Sequence, residues 1–383
     1  MIKGIKIQNF KSIIDLDIPL GRFNVLIGEN GCGKSNILEA ITFAGAASVD
    51  QLDVQDLEKR GMRVPAPRFM FPAFDNSCAK DIKVKFELGN GKYDQFIMFF
   101  NENLDAGRWI EKRRSIARET IKTLKSQDLK KAIEELIHNN FRREENDLNV
   151  ELKDDVFRIS LVKHDKEITG FRIYAPNENS LRKFDNPDNT TIGVDGTGLF
   201  SYLKKIASLD KGKEMLTEIR HCMGILDWFD DIRIKSDTLS RDNTVMLYDQ
   251  YIDETLEYFD QRSVNEAFLY LLFYYTLFIS ENSPSFFAID NIESALNPKL
   301  CREFTKTLIK LSKEHDKQVI VTTHNPFVLD ALNLTQEEQR LFVVRRDIDG
   351  HTRINRIQAP VDSSLPLSEA WMKGYIGGLP NNF

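Results

Sequence analysis

Cysteine is scarce in this chain of 383 residues: there are four, Cys32, Cys78, Cys222 and Cys301, and no two stand at a paired spacing. That excludes a disulfide framework, and the six scattered histidines complete no zinc-ligand pattern with them. Long apolar runs are missing too. The longest, 267–280, lies between Glu266 and Glu281 and falls short of the ~20 residues a membrane helix needs, so it reads as a buried helix. The opening MIKGIKIQNF has no apolar signal region, and the expectation is a cytoplasmic chain with no membrane partner. Basic residues are outnumbered, 52 Lys and Arg against 58 Asp and Glu, which argues against a surface built throughout for nucleic acid and leaves room for a local basic patch. There is no internal repeat and no low-complexity tract. With 42% hydrophobic and 29% charged residues, the composition is that of a globular protein of two or three domain-sized units.

What is present is concentrated at 28–35, GENGCGKS, a complete G-x-x-x-x-G-K-S phosphate-binding loop. It stands between an apolar strand at 23–27 (FNVLI) and a helix expected over 34–46. A turn there aims backbone N–H groups into a nest at a helix N-terminus, where phosphate binds. The expected ligand is ATP, cradled by Gly28, Glu29, Asn30, Gly31, Cys32, Gly33 and Asn36. Lys34 reaches the β and γ phosphates, and the Ser35 hydroxyl ligates Mg2+. Two readings of Cys32 stand: a thiol acidified by loop N–H groups and Lys34, or a small residue that simply fits.

Along the chain, 2–8 and 14–20 read as antiparallel strands, 82–88 and 93–100 as a hairpin over Gly-Asn-Gly, and 150–175 as further strands. The stretch 102–146 has almost no Gly or Pro and carries Lys112-Arg113-Arg114 and Arg142-Arg143, so it reads as a basic helical insertion. Its charge suits either a solvated face or a DNA or partner surface. The region 198–228 is helical, short strands follow at 232–235 and 244–247, and Arg262-Ser263 opens the apolar helix. Strands at 285–289 and 318–322 flank a helix over 299–315. The expected domains are 1–100 with the phosphate loop, 101–189 as the insertion, and 190–383 as the second lobe. A second strand ending in Asp290 (SFFAID) supplies the acid that completes a magnesium shell, and His324 follows the strand QVIVTT, in reach of a γ phosphate or water. Asp347-Ile348-Asp349 lies in RRDIDGHT and reads as a hairpin turn rather than a metal pair. The tail PLSEAWMKGYIGGLPNNF holds no catalytic constellation and can dock on the head or on a partner.

IKIQNFKSI, GENGCGKSN, AIDNIESALNP and TTHNPFVLDAL, in that order, resemble the ABC-type, AAA-family ATPase heads of the SMC and RecF proteins, above all the compact heads of bacterial anti-phage defence systems of PARIS or Septu kind. The overcoming-lysogenization class carries a nuclease after such a head, and here about 50 residues follow the histidine loop that ends at Leu332. The resemblance implies an α/β fold, an ABC-type P-loop head with an antiparallel β subdomain, a mainly parallel α/β core and the helical insertion. It implies Asp290 as the magnesium-shell aspartate, 294–297 as a loop crossing a dimer interface, His324 as a switch, and Lys11 near the phosphates. It also implies a homodimer or higher oligomer through ATP-bound heads.

Two departures from the family stand out. Asn291 occupies the place of the usual catalytic glutamate, and an amide is no general base, which leaves slow hydrolysis, takeover by Glu293, or ATP as a clamp only. The signature turn is reduced to Ser263-Val264-Asn265-Glu266, either a donor to the partner's γ phosphate or an ordinary helix cap with Ser263 at its head. The functional expectation is an ATPase switch controlling a separately encoded effector, a nuclease or toxin, in antiviral defence. The alternative is a DNA-clamping repair ATPase.

Overall fold

The computed structural model describes residues 1–73, 79–101, 107–111, 148–153, 156–161, 165–183, 191–234, 245–253, 255–256, 258–358 and 365–379. The basic insertion expected over 102–146 lies almost wholly outside them. Two compact units share the chain: Met1–Pro19, Asn36–Phe171 and Arg346–Arg353 form the first, and Leu20–Ser35, Arg172–Arg345 and Ile354–Phe383 the second.

The chain opens with β1 (Ile2–Phe10), β2 (Ile13–Pro19) and β3 (Phe23–Ile27), followed by helix α1 (Lys34–Ser48). In the first unit, β4 (Ile82–Leu88), β5 (Tyr93–Asn101) and β6 (Arg108–Glu111) join β1 and β2 in an antiparallel sheet of order β2-β1-β4-β5-β6. Alternation makes that sheet: Ile5, Ile7, Val84 and Phe86 point into its core while Lys3, Asp15 and Lys85 do not. β7 (Leu148–Lys153) and β8 (Val156–Leu161) pair antiparallel on their own.

The second unit carries a six-stranded sheet of order β15-β14-β3-β13-β12-β9, where β9 is Ile173–Tyr174, β12 Phe286–Ile289, β13 Gln318–Thr322, β14 Gln339–Arg346 and β15 Thr352–Ile357. β14, β3, β13, β12 and β9 run parallel. Every residue of β3, β12 and β13 is buried, as a sheet covered on both faces requires, so their sequences are mainly apolar rather than alternating, with Asn24, Gln318 and Thr322 as buried polar exceptions. A small antiparallel pair, β10 (Phe229–Ile234) and β11 (Val245–Asp249), stands apart.

Besides a short helix at Glu178–Arg182, this unit carries α2 (Leu199–Ala207), α3 (Asp210–Met223), α4 (Glu266–Ile279), α5 (Pro298–Glu314) and the short α6 (Leu367–Met372). In α4 every residue from Phe268 to Ile279 is buried; a helix apolar all round belongs in a protein core, and no described helix is long and apolar enough to cross a membrane. Its start corrects an expectation. The helix begins at Glu266 with Asn265 as cap, accepting from the Phe268 N–H, three residues later than Ser263, because Asp260 captures Ser263 in a turn of its own.

Candidate functional site

All the residues of the phosphate loop through Ser35 lie in the second unit, between β3 and α1. Gly28 has φ +149°, and a Cβ there would stand 2.1 Å from the Val344 carbonyl oxygen and 2.9 Å from the Cys32 Sγ. Only glycine lets the end of β3 lie this close to β14 while turning into the loop. Gly31 and Gly33 follow at φ +79° and +110°. Asn30 and Gly31 are exposed at the tip, whereas Cys32, Gly33 and Lys34 are buried beneath it. The Lys34 ammonium donates to the carbonyl oxygens of Gly28 at 2.8 Å and Glu29 at 3.0 Å, and so is held over its own loop. Burial pushes the Cys32 thiol pKa up, and Lys34 with the nearby N–H groups only partly opposes it. The acidified thiol is therefore not what forms, since loss of water outweighs the cation beside it.

β12 delivers Asp290, whose own N–H donates to the Tyr174 carbonyl. One carboxylate oxygen accepts from the Ser35 hydroxyl at 3.2 Å and the other from the Thr322 hydroxyl at 2.5 Å. Thr322, at the end of β13, also accepts from the Asn291 N–H at 2.8 Å, so it fixes both the acid and the residue after it. Asn291 is left-handed at φ 56°, a conformation asparagine tolerates better than most residues, and Ala295 is left-handed at φ 63°. Glu293 accepts from the His324 backbone N–H at 2.8 Å through Oε1, while its Oε2 is buried without a hydrogen-bond partner among the described residues. The His324 ring is exposed, and its pKa is held below the usual imidazole value first by desolvation and then by Lys34, with Glu293 and Asp290 opposing. The imidazole is thereby kept neutral and able to accept or donate at neutral pH. Asn297 caps α5 through the Leu300 N–H, so residues 294–297 form a tight turn ending at a helix start.

The remaining expected residues have partners of their own. Lys11, left-handed at φ 50°, belongs to the first unit and donates to Glu39 at 2.6 Å and to the Arg63 carbonyl at 3.2 Å. Burial lowers its pKa, Glu39 works against that, and Arg63 adds to it. Asn36 donates to the Ser12 hydroxyl at 2.6 Å. Lys11 and Asn36 line one cavity of about 580 Å³ together with Ser12, Arg63, Phe69 and Arg346. Ser263 is exposed and donates through both its N–H and its hydroxyl to Asp260; Glu266 sits in the first turn of α4. Asp347 accepts from the N–H groups of Asp349 and His351, the expected hairpin turn.

Thr322 is the residue that reading the sequence passed over as a site residue. Its only signal was a hydroxyl at the end of a buried strand beside the Asp290 strand. The donor set of Ser35, Asp290 and Thr322 is all oxygen, which suits a hard cation such as Mg2+ that keeps its waters and bridges phosphates. Ser35 and Asp290 already stand within hydrogen-bond distance of each other, so the residues fit that ion.

A phosphate loop between β3 and α1, a strand-end aspartate on the neighbouring strand but one, and a histidine after the strand between them define an ATPase of the ABC type, with the SMC and RecF head architecture. Residues 23–330 match the family described as "AAA domain, putative AbiEii toxin, Type IV TA system", and the chain belongs to that family. Among curated relatives, it is 33% identical over 87 residues to the OLD nuclease of Thermus scotoductus, 31% over 97 to Structural maintenance of chromosomes protein 1 of Schizosaccharomyces pombe, and 46% over 43 to the DNA replication and repair protein RecF of Brucella abortus. These matches cover 23%, 24% and 11% of this chain and span only 15%, 8% and 11% of those proteins. The fold is similar to an SMC head bound to the C-winged helix domain of ScpA, with TM-score 0.55, 14% identity, and 93% of this chain and 98% of the other covered. It is also similar to the Pyrococcus furiosus SMC head with an extended coiled coil, with TM-score 0.53, 11% identity and 98% of each chain covered.

Proposed function

We propose that this chain is an ATP-held switch: two heads close on two nucleotides, turnover is slow, and the closed pair controls a separately encoded effector, a nuclease or toxin, in anti-phage defence. The observation that carries the slow turnover is Asn291 immediately after Asp290, with its N–H tied to Thr322 and its side chain an amide. Glu293 is the nearest acid in sequence, and its buried, unpartnered Oε2 is a group able to orient water. In this reading Lys34 neutralises the β and γ phosphates, Ser35 and Asp290 hold Mg2+ with Thr322 fixing the aspartate, and His324 meets the γ phosphate. Lys11 is the basic residue that the family resemblance puts near the phosphates, Asn36 follows the loop directly, and Ser263 with Glu266, just before and at the start of α4, faces the partner head's nucleotide. A bound magnesium supplies charge neutralisation of the phosphates.

The test is turnover and mass of the purified protein with and without ATP. Lys34→Ala is expected to abolish binding and pairing, Glu293→Gln to cut turnover at least about tenfold, and Asn291→Glu to raise it by a similar factor. Fast wild-type turnover indifferent to Glu293→Gln would defeat the slow-switch reading.

The match to RecF supports a second reading, a DNA-clamping repair ATPase. Strong stimulation of turnover by duplex DNA that fades steeply with salt would select it, whereas a salt-stable complex with the product of a neighbouring gene would select the effector switch.

A further inference from the structure

α6 and the glycine-rich turn after it run back across the second unit to the phosphate loop. The helix is anchored at its first turn: the Ser368 N–H donates to Asp330 Oδ1 at 2.9 Å and its hydroxyl to Asp330 Oδ2 at 2.7 Å, with Ser368 buried. Asp330 belongs to the 3-10 turn Pro326–Ala331, which Asn325 caps and which therefore starts directly behind His324. At the other end, Gly378 has φ +83°, and a Cβ on it would stand 3.1 Å from Val343, 3.5 Å from the Gly28 Cα and 3.5 Å from the Trp371 indole nitrogen. Trp371 is 5% exposed, and its indole N–H has no acceptor among the described residues. A buried donor left unpaired costs free energy and calls for an explanation.

We propose that residues 367–378 form a strap that is a positioning element of the nucleotide site, with Trp371 and Ser368 as its positioning residues, coupling the phosphate loop to the His324 turn. This rests on the ATP-binding reading above. Lys34 now satisfies the Gly28 and Glu29 carbonyls; when it turns to the phosphates, those acceptors lose their donor, and the spare indole N–H, on the strap whose Gly378 lies against Gly28, moves in to serve one of them. The Ser368–Asp330 tie passes the same movement to the turn behind His324. Gly378 suits this close approach because its φ of +83° is one that L side chains rarely adopt, and a Cβ there would crowd Val343 at 3.1 Å.

The first experiment is amide hydrogen exchange of the wild-type protein with and without Mg2+ and ATP, with ATP binding measured in parallel by equilibrium dialysis. Added protection of 367–378 and of 326–331 on ATP binding, absent in Lys34→Ala, is the expected result. Trp371→Phe, which keeps the ring and removes the N–H, is expected to weaken ATP affinity about fivefold at unchanged Tm. Ser368→Ala is expected to lower turnover about tenfold at unchanged ATP affinity, with Ser368→Thr restoring it. Unchanged exchange in the strap while dialysis records saturating ATP overturns the strap and leaves the ATP-binding reading standing. No ATP in dialysis overturns both. The exchange measurement needs no variant of the strap, so it decides even where a substitution prevents folding.

Discussion

Glu39 and Asp290 are both carboxylates on elements that flank a nucleotide-binding motif, yet their surroundings are opposite. Glu39, with its side chain 2% exposed, meets two cations: Lys11 at 2.6 Å and the Arg63 guanidinium at 2.7 Å. Asp290 meets two neutral hydroxyls, those of Ser35 and Thr322, and makes no ion pair among the described residues. A carboxylate between two cations has its charge cancelled from within the chain and acts as a rivet. One held only by hydroxyls is oriented but not neutralised, so its charge remains available to a cation that arrives with a ligand. The difference separates a structural acid from a ligand-ready one without reference to any motif.

Substitution at each acid can break that contrast. The largest effect is expected from Asp290→Asn, which keeps the side chain's shape but deletes the charge and exchanges one acceptor for a donor: magnesium-dependent turnover falls at least about 100-fold, while the denaturant midpoint moves little. Glu39→Gln is expected to do the reverse, costing about 3 kcal/mol of stability in urea unfolding, because the half-buried Lys11 loses its counter-charge while the exposed Arg63 can turn to water. A Glu39→Gln protein as stable as wild type would erase the distinction. Thr322→Val sharpens the comparison from the other side. It removes one of the hydroxyls that orient Asp290 and is expected to lower turnover about tenfold, with a stability loss of about 1 kcal/mol.

A last effect concerns a buried cation outside the site. Lys317 donates to the carbonyls of Ser280, Ser283 and Pro284 near the end of α4, and burial holds its pKa down to about 8 from the ordinary 10.5. Below pH 8 both folded and unfolded chains carry the proton. Between about 8 and 10.5 the unfolded chain still binds a proton that the folded chain has released, so this group makes stability rise with pH across that window. Unfolding curves recorded from pH 7.5 to 10.5 check it, and Lys317→Met is expected to flatten the rise.

Much of the fold was legible because the signals were local. β3, β4 and β13 run over the residues expected of them, 23–27, 82–88 and 318–322, the first and last as mainly apolar segments and the middle one as an alternation ended by Gly-Asn-Gly. The helix expected over 299–315 is α5, whose Asn297 cap and Pro298 both mark a start. The opening of α4 was read three residues early because Ser263 and Asn265 are both good caps, and only the turn made by Asp260 decides between them. Of the two readings of Cys32, the small residue that fits is the one favoured, and for a related reason: the thiol's neighbours are visible in the sequence, and its burial is not.

By itself the sequence determined the phosphate loop, the strand-loop-helix unit that carries it, and the presence of an acid and a histidine at the ends of two further strands. Those follow from residues within a few positions of one another, where backbone conformation is decided. Tertiary structure alone decided that Thr322 holds Asp290 from 32 positions away, that Glu293 meets the His324 backbone, and that Gly378 lies against Gly28. Charge state, orientation and readiness for a ligand depend on desolvation and on partners distant in sequence, and these exist only once the chain has packed.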